Sequence, residues 1–134
     1  MRAILTTGRG LEPGALGAIP ANVHVEEWIP QRDIFPRVAA LVCHGGSGTL
    51  LGGLAAGLPV VIVPLGADQP HNGRLVAATG AGLTLIKPDA AALRAAVQTT
   101  LDAPELRLQA RRLAEEMGAM PTIDDVVDAL VGLS

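Results

Sequence analysis

Short apolar runs alternate with stretches of helical periodicity along this chain. Residues 3–7 (AILTT) read as a strand, and residues 23–28 (VHVEEW) alternate as a half-buried strand does. The connection between them is broken by Gly8, Gly10, Pro13, Gly14, Gly17 and Pro20. Asp33 is placed to cap a short helix reaching about Val38, and residues 40–44 (ALVCH) form a short buried strand. A helix over 49–56 stops at Gly57 and Pro59. Residues 59–64 (PVVIVP) are apolar without interruption, as in a parallel strand covered on both faces. A helix over 72–79 ending at Gly80 and a last strand over 82–86 follow. Beyond Pro88 the pattern is helical over 90–101, 104–117 and 122–133. Asp89, Asp102 and Thr122 are suited as caps, and Pro104 and Pro121 stand near helix starts.

Five strands alternating with helices predict an α/β protein: an open, mostly parallel, Rossmann-like sheet with helices on both faces and right-handed crossovers. Such sheets bind ligands at the carboxyl ends of their strands. That is where His44, the glycine-rich corner after it, Asp68 and Gln69 fall. The 134 residues suit one domain, 1–134, with one core, and 49% hydrophobic composition supplies its interior. A formal net charge of -3 with scattered basic residues points away from nucleic acid. Cys43 is alone, so no internal disulfide forms, and a cytoplasmic location is expected. No apolar stretch is long enough for a membrane span, and the N-terminal apolar run is too short for a signal peptide.

The corner Gly45-Gly46-Ser47-Gly48-Thr49 joins a strand to a helix. The first turn of a helix leaves backbone N–H groups without intrahelical partners, and the helix dipole adds positive potential there. Glycines let a ligand's oxygens approach the backbone. Ser47 and Thr49 add hydroxyls and His44 an imidazole, so the corner reads as a seat for a phosphate or pyrophosphate. Three rival readings can be tested on spelling. A P-loop needs a lysine here, but the chain's only lysine is Lys87. A dinucleotide fingerprint needs a third glycine where Leu51 stands. A hydrolase elbow around Ser47 ends in Thr49 rather than glycine and would have to recruit His71 with Asp124 or Asp125. A plainer reading is that the glycines only allow a helix to pack closely on a strand. His24, His44 and His71 have no metal-ligand spacing, and no cofactor or metal is expected. Cys43 and His44 are strand neighbours pointing to opposite faces, which excludes a dyad. The Glu26-Glu27 and Glu115-Glu116 pairs read as solvated surface.

Read together, Trp28-Ile29-Pro30-Gln31, His44-Gly45-Gly46-Ser47-Gly48-Thr49, Gly57-Leu58-Pro59 and Asp68-Gln69-Pro70-His71-Asn72 resemble the C-terminal, donor-binding domain of a GT-B fold glycosyltransferase. The group is the UDP- and dTDP-sugar-dependent one, and the style is that of its bacterial natural-product branch. The resemblance implies roles. Trp28 would stack on the nucleobase, the backbone of Ile29 would read the base edge, and Gln31 would lie by base and sugar. His44 would donate to the diphosphate, and Gly46, Ser47, Gly48 and Thr49 would cradle its oxygens. Asp68 and Gln69 would hold hydroxyls of the donor sugar, and Asn72 would be a helix start or a weak phosphate contact.

Two departures from the pattern matter. Plant members carry a glutamate for both ribose hydroxyls where this chain has Gly52, which favours a deoxyribose donor, dTDP-sugar over UDP-sugar. The resemblance also implies that the acceptor site and the catalytic base belong to an N-terminal half outside these residues, so no catalytic residue is assigned. The first strand and helix of the donor domain are likewise expected to be lacking, and that strand is central in the family's sheet. Its loss would open the sheet or invite association, including a homo-oligomer. The expected reaction is inverting transfer of a sugar from a nucleotide diphosphate sugar to a hydroxyl of a small-molecule acceptor. The alternatives are a donor-binding subunit needing a partner chain and, more remotely, a serine hydrolase using Ser47. Alone, the chain is expected to be inactive.

Overall fold

The computed structural model describes residues 1–11 and 14–133. Pro13, one of the expected breakers, lies outside them. The chain divides into two units, Met1–Arg37 and Val38–Ser134. In the first, strands β1 (Ala3–Thr6) and β2 (Val23–Glu26) pair in parallel, Ala3 opposite Val23 through Thr6 opposite Glu26. Helix α1 (Gln31–Ile34) and a 3-10 turn (Phe35–Arg37) complete it, and Phe35 is buried. Asp33 is not the cap expected of it. The helix starts at Gln31 with Pro30 at its N-cap position, φ -58°, and Asp33 sits within the first turn, where a carboxylate complements the dipole.

The second unit holds a three-stranded parallel sheet in the order β3 (Leu41–Cys43), β4 (Val60–Ile62), β5 (Gly82–Thr84). Leu41 stands opposite Val60, and Val60 opposite Gly82. The five strands therefore form two separate parallel sheets rather than one, because among the described residues β1 and β3 each pair on one side only. Central β4 explains its unbroken apolar spelling, since Val60, Val61 and Ile62 are all 0% exposed. Burying a side chain of this kind stabilises the fold by about 1.5–3 kcal/mol.

Around β4 lie α2 (Ser47–Ala55), α3 (Gln69–Thr79), α4 (Ala90–Asp102) and α5 (Pro104–Gly118). The core joins Leu50 and Leu54 of α2, Val76 of α3, Ala110 of α5 and Ala81, just before β5, to Val60 and Ile62. Leu41, Cys43, Leu113 and Met117 pack against it, half-buried. Helix α2 stops where expected. Gly57 takes a left-handed φ of 72°, which lets the Leu58 N–H reach the Gly53 carbonyl at 3.0 Å.

Two expected helix starts move, and one expected cap does not form. Helix α2 begins at Ser47 rather than Thr49, and α3 at Gln69 rather than Asn72, because Pro70 needs no N–H partner and suits a first turn. Asp102 closes α4 instead of capping α5. Its carboxylate accepts from Gln98 Nε2 at 2.7 Å, and Ala103 takes the cap position. Asp89 does cap α4, accepting from the Ala92 N–H at 2.7 Å.

The last helix, α6 (Ile123–Val131), is held at its start by a reciprocal Thr122–Asp125 cap. None of its residues is buried, and Ile123 and Leu130 are 82% and 64% exposed. Its stability is therefore local. Thr122→Ala is expected to cost that helix about 1 kcal/mol. Amide exchange should quicken roughly fivefold over 123–131 with little change in the melting temperature of the chain.

Candidate functional site

Strand β3 ends at Cys43 and α2 begins at Ser47, so His44, Gly45 and Gly46 make the whole turn. Gly45 is buried with φ 89°, a conformation L side chains rarely adopt. A Cβ there would lie 2.8 Å from Ile62 Cγ2. This backbone position brings the chain from the tip of β3, which is half-buried rather than the buried strand expected, to the start of α2. Gly46 occupies the helix N-cap position, and no side chain caps the helix. A Cβ on Gly46 would collide with Nε2 of His44, so the imidazole lies directly over the Gly46 backbone at the helix start.

The glycines divide by task. A Cβ on Gly53, in mid-α2, would meet Leu41 Cδ2 of β3 at 2.5 Å, so close strand–helix packing accounts for Gly53. A Cβ on Gly48 would meet nothing within 4 Å. Packing does not require Gly48, which leaves an open approach to the first turn.

The loop after β4 brings a carboxylate to the same end of the sheet. Asp68 stands at the N-cap position of α3 but its side chain does not cap that helix. Its Oδ2 accepts from Asn72 Nδ2 at 2.9 Å and from Ser47 Oγ at 3.4 Å. The Asn72 amide, the residue's own backbone N–H, the Ser47 hydroxyl and the charge of His71 hold the Asp68 carboxyl below the usual range, against a desolvation effect in the other direction. The carboxylate is exposed and ionised at neutral pH. Gln69 is half-buried, and its Oε1 accepts from the N–H groups of Leu65 and Gly66 at 2.7 and 3.1 Å. Two N–H donors require the amide oxygen there, so the Gln69 amide nitrogen is the group left for a ligand. The same bonds brace Ala67, a non-glycine residue at φ 54°. Asp68 thus offers an acceptor and Gln69 a donor, side by side.

The structure brings His44, Gly46, Ser47, Gly48, Thr49, Asp68 and Gln69 to one end of the three-stranded sheet. Trp28, Ile29 and Gln31 fall in the other unit. Trp28 follows β2 and is 70% exposed, Ile29 is half-buried, and Gln31 opens α1. An indole this exposed is not a core residue, and its apolar face is open to a partner. Asn72 is not the helix start expected of it. It lies inside α3 and bonds to Asp68 and to the Gly45 carbonyl. The first link is legible as an i, i+4 pair on a helix. The second spans 27 residues and has no local signal.

The hydrolase arrangement does not assemble. Ser47 gives its hydroxyl to a carboxylate rather than to an imidazole, and Asp125 is spent on the Thr122 cap. Cys43 packs half-buried against the core while His44 is exposed, and burial raises the thiol pKa, so Cys43 is a poor nucleophile. Among the described residues, no three His, Cys, Asp or Glu side chains cluster as a metal site, and no helix is long and apolar enough to cross a membrane.

Fold and site together define a parallel α/β domain with an open helix start and a carboxylate–amide pair at its strand tips. A family model described as the C-terminal domain of proteins like erythromycin biosynthesis protein CIII matches residues 4–133, and the chain belongs to that family of bacterial natural-product glycosyltransferases. The elloramycin glycosyltransferase ElmGT of Streptomyces olivaceus is 39% identical over 126 residues, covering 94% of this chain and 32% of its own length. The tylactone mycaminosyltransferase of Streptomyces fradiae is 37% identical over 129 residues, covering 92% and 28%. Among solved structures, the glycosyltransferase SnogD of Streptomyces nogalater superposes with a TM-score of 0.85 at 36% identity, over 98% of this chain and 35% of that one. The glycosyltransferase VinC, solved in complex with dTDP, superposes at 0.83 with 28% identity, over 87% and 30%. The structural neighbours are GT-B glycosyltransferases, and the chain matches their C-terminal half. It spans about a third of the length of the relatives it matches.

Proposed function

We propose that residues 1–134 form the nucleotide-sugar-binding domain of an inverting glycosyltransferase, working with an acceptor-binding domain or partner chain that supplies the catalytic base. The observation that carries this reading is the His44 imidazole lying over Gly46 at the uncapped start of α2. An acceptor hydroxyl, deprotonated by that base, attacks the anomeric carbon of the donor sugar. The bond to the diphosphate breaks as the new glycosidic bond forms, and configuration inverts. Negative charge grows on the leaving diphosphate. His44 and the N–H groups at the start of α2 are placed to stabilise it, with Gly46, Ser47, Gly48 and Thr49 around the phosphate oxygens. Asp68 accepts from a hydroxyl of the sugar and Gln69 donates to one. Trp28 stacks on the base, a contact worth roughly 1–3 kcal/mol in nucleic-acid binders, with Ile29 and Gln31 beside it. The nucleotide sugar is a substrate, and the scheme requires neither cofactor nor metal.

The donor is a dTDP-sugar. Gly52 stands where a glutamate would satisfy two ribose hydroxyls, and deoxyribose has no 2′-hydroxyl to satisfy. The dTDP seen with VinC supports the same choice. The test is calorimetric titration of dTDP and UDP into the chain and its His44→Ala variant. Saturable binding is expected, tighter for dTDP, with a roughly tenfold loss in the variant, the size of one charge-assisted hydrogen bond. No binding of either nucleotide by the folded chain would overturn the reading. Markedly tighter UDP binding would overturn the choice of donor alone.

A further inference from the structure

Asn72 has no assigned task in the scheme above, yet it links the turn after β3 to the loop after β4. Its Nδ2 carries two protons, and the structure uses two contacts. One runs 3.0 Å to the carbonyl of Gly45, in the turn after β3. The other runs 2.9 Å to Asp68 Oδ2, in the loop after β4. A single half-buried amide therefore ties the helix-start corner to the carboxylate. Asp68 confirms the arrangement from its own side. An aspartate at an N-cap position ordinarily accepts from the first turn of its helix. This one turns away, and its Oδ2 accepts from Asn72 Nδ2 and Ser47 Oγ instead.

We propose that Asn72 is a positioning residue that sets the spacing between the diphosphate seat and the sugar-hydroxyl seat, by holding Asp68 Oδ2 against the Gly45 turn so that Oδ1 is presented to the donor sugar. The inference rests on the nucleotide-sugar reading of the site. It makes Asn72 a determinant of how well the sugar, rather than the nucleotide, is held. The amide also keeps Asp68 ionised, because a donor to a carboxylate favours its charged form. The titratable group acting on Asp68 is His71 of the same helix, and α2 contributes the Ser47 hydroxyl.

The experiment uses the full chain with Asn72→Ala and Asn72→Asp. The first readout is the Asp68 titration midpoint by carboxyl carbon NMR without ligand. Asn72→Ala should raise it, since a hydrogen bond to the charged form is lost. The second readout is calorimetry with dTDP and with dTDP-glucose. Asn72→Ala should weaken dTDP-glucose at least threefold more than dTDP. In Asn72→Asp, two carboxylates meet and one of them retains its proton to higher pH. Affinity for dTDP-glucose should then rise as pH falls and the new carboxyl regains a proton to donate. The wild-type chain should show the opposite slope, because Asp68 itself becomes protonated. Asn72→Asp is nearly isosteric, so it decides the matter if Asn72→Ala does not fold. An unmoved Asp68 midpoint, equal losses for the two nucleotides, or matching pH slopes would overturn the proposal. If the wild-type chain bound neither nucleotide, the nucleotide-sugar reading would fail, while the Asp68 midpoint would still decide whether Asn72 holds that carboxylate.

Discussion

Gly45→Ala is expected to destabilise the chain by about 3 kcal/mol, lowering the melting temperature by roughly 10 °C. Two independent effects add. A left-handed backbone at a non-glycine residue costs about 1–2 kcal/mol, and Gly45 has φ 89°. The new methyl would also lie 2.8 Å from Cγ2 of Ile62, which is 0% exposed in the central strand. Overpacking against a rigid core typically costs 1–3 kcal/mol. Ile62 cannot withdraw without opening the cluster it shares with Leu50, Leu54 and Val76. Relief by backbone movement would disturb the Gly45 carbonyl that Asn72 holds. Denaturant unfolding of the two proteins measures the difference. A loss under 1 kcal/mol would show that the turn relaxes freely and that the strand tip does not set its geometry.

Much of this arrangement is legible in residue order. The unbroken apolar run at Val60, Val61 and Ile62 identifies a strand covered on both faces, and its burial follows from that spelling. Asp89 and Thr122 announce helix starts because their side chains act within three residues. Where the expectation fails, a competing interaction wins. Asp68 has the identity and place of a cap, but Asn72 and Ser47 draw its oxygen away. Asp33 and Asp102 are overtaken by proline-led starts at neighbouring positions. The division into two sheets is not written locally either, since strand pairing is settled by neighbours distant in sequence. At the candidate site, residue order names the chemical groups on offer, and the fold decides which atoms are already engaged. Gln69 illustrates this. Its spelling offers both an acceptor and a donor, but the Leu65 and Gly66 N–H groups take the acceptor.

The neighbouring substitution, Gly46→Ala, should have the reverse profile, with binding lost and stability kept. Gly46 sits at φ -65° and ψ 137°, a conformation that alanine adopts without strain. The added methyl meets the tip of an exposed imidazole rather than the core, so the fold accommodates it by rotating His44 away. Unfolding free energy should change by less than about 1 kcal/mol, as for a surface change that leaves packing and backbone undisturbed. Affinity for dTDP should nevertheless fall by about 2 kcal/mol, near thirtyfold. The loss exceeds that of His44→Ala because the methyl both displaces the imidazole and crowds the approach to the first-turn N–H groups of α2. The double variant Gly46→Ala/His44→Ala separates the two effects. If displacement of His44 carries most of the loss, the double variant should bind nearly as Gly46→Ala does, and the two substitutions should be far from additive. Full additivity would place His44 and the Gly46 backbone in separate contacts with the nucleotide. Unchanged dTDP binding in Gly46→Ala would remove the helix start from the diphosphate seat altogether.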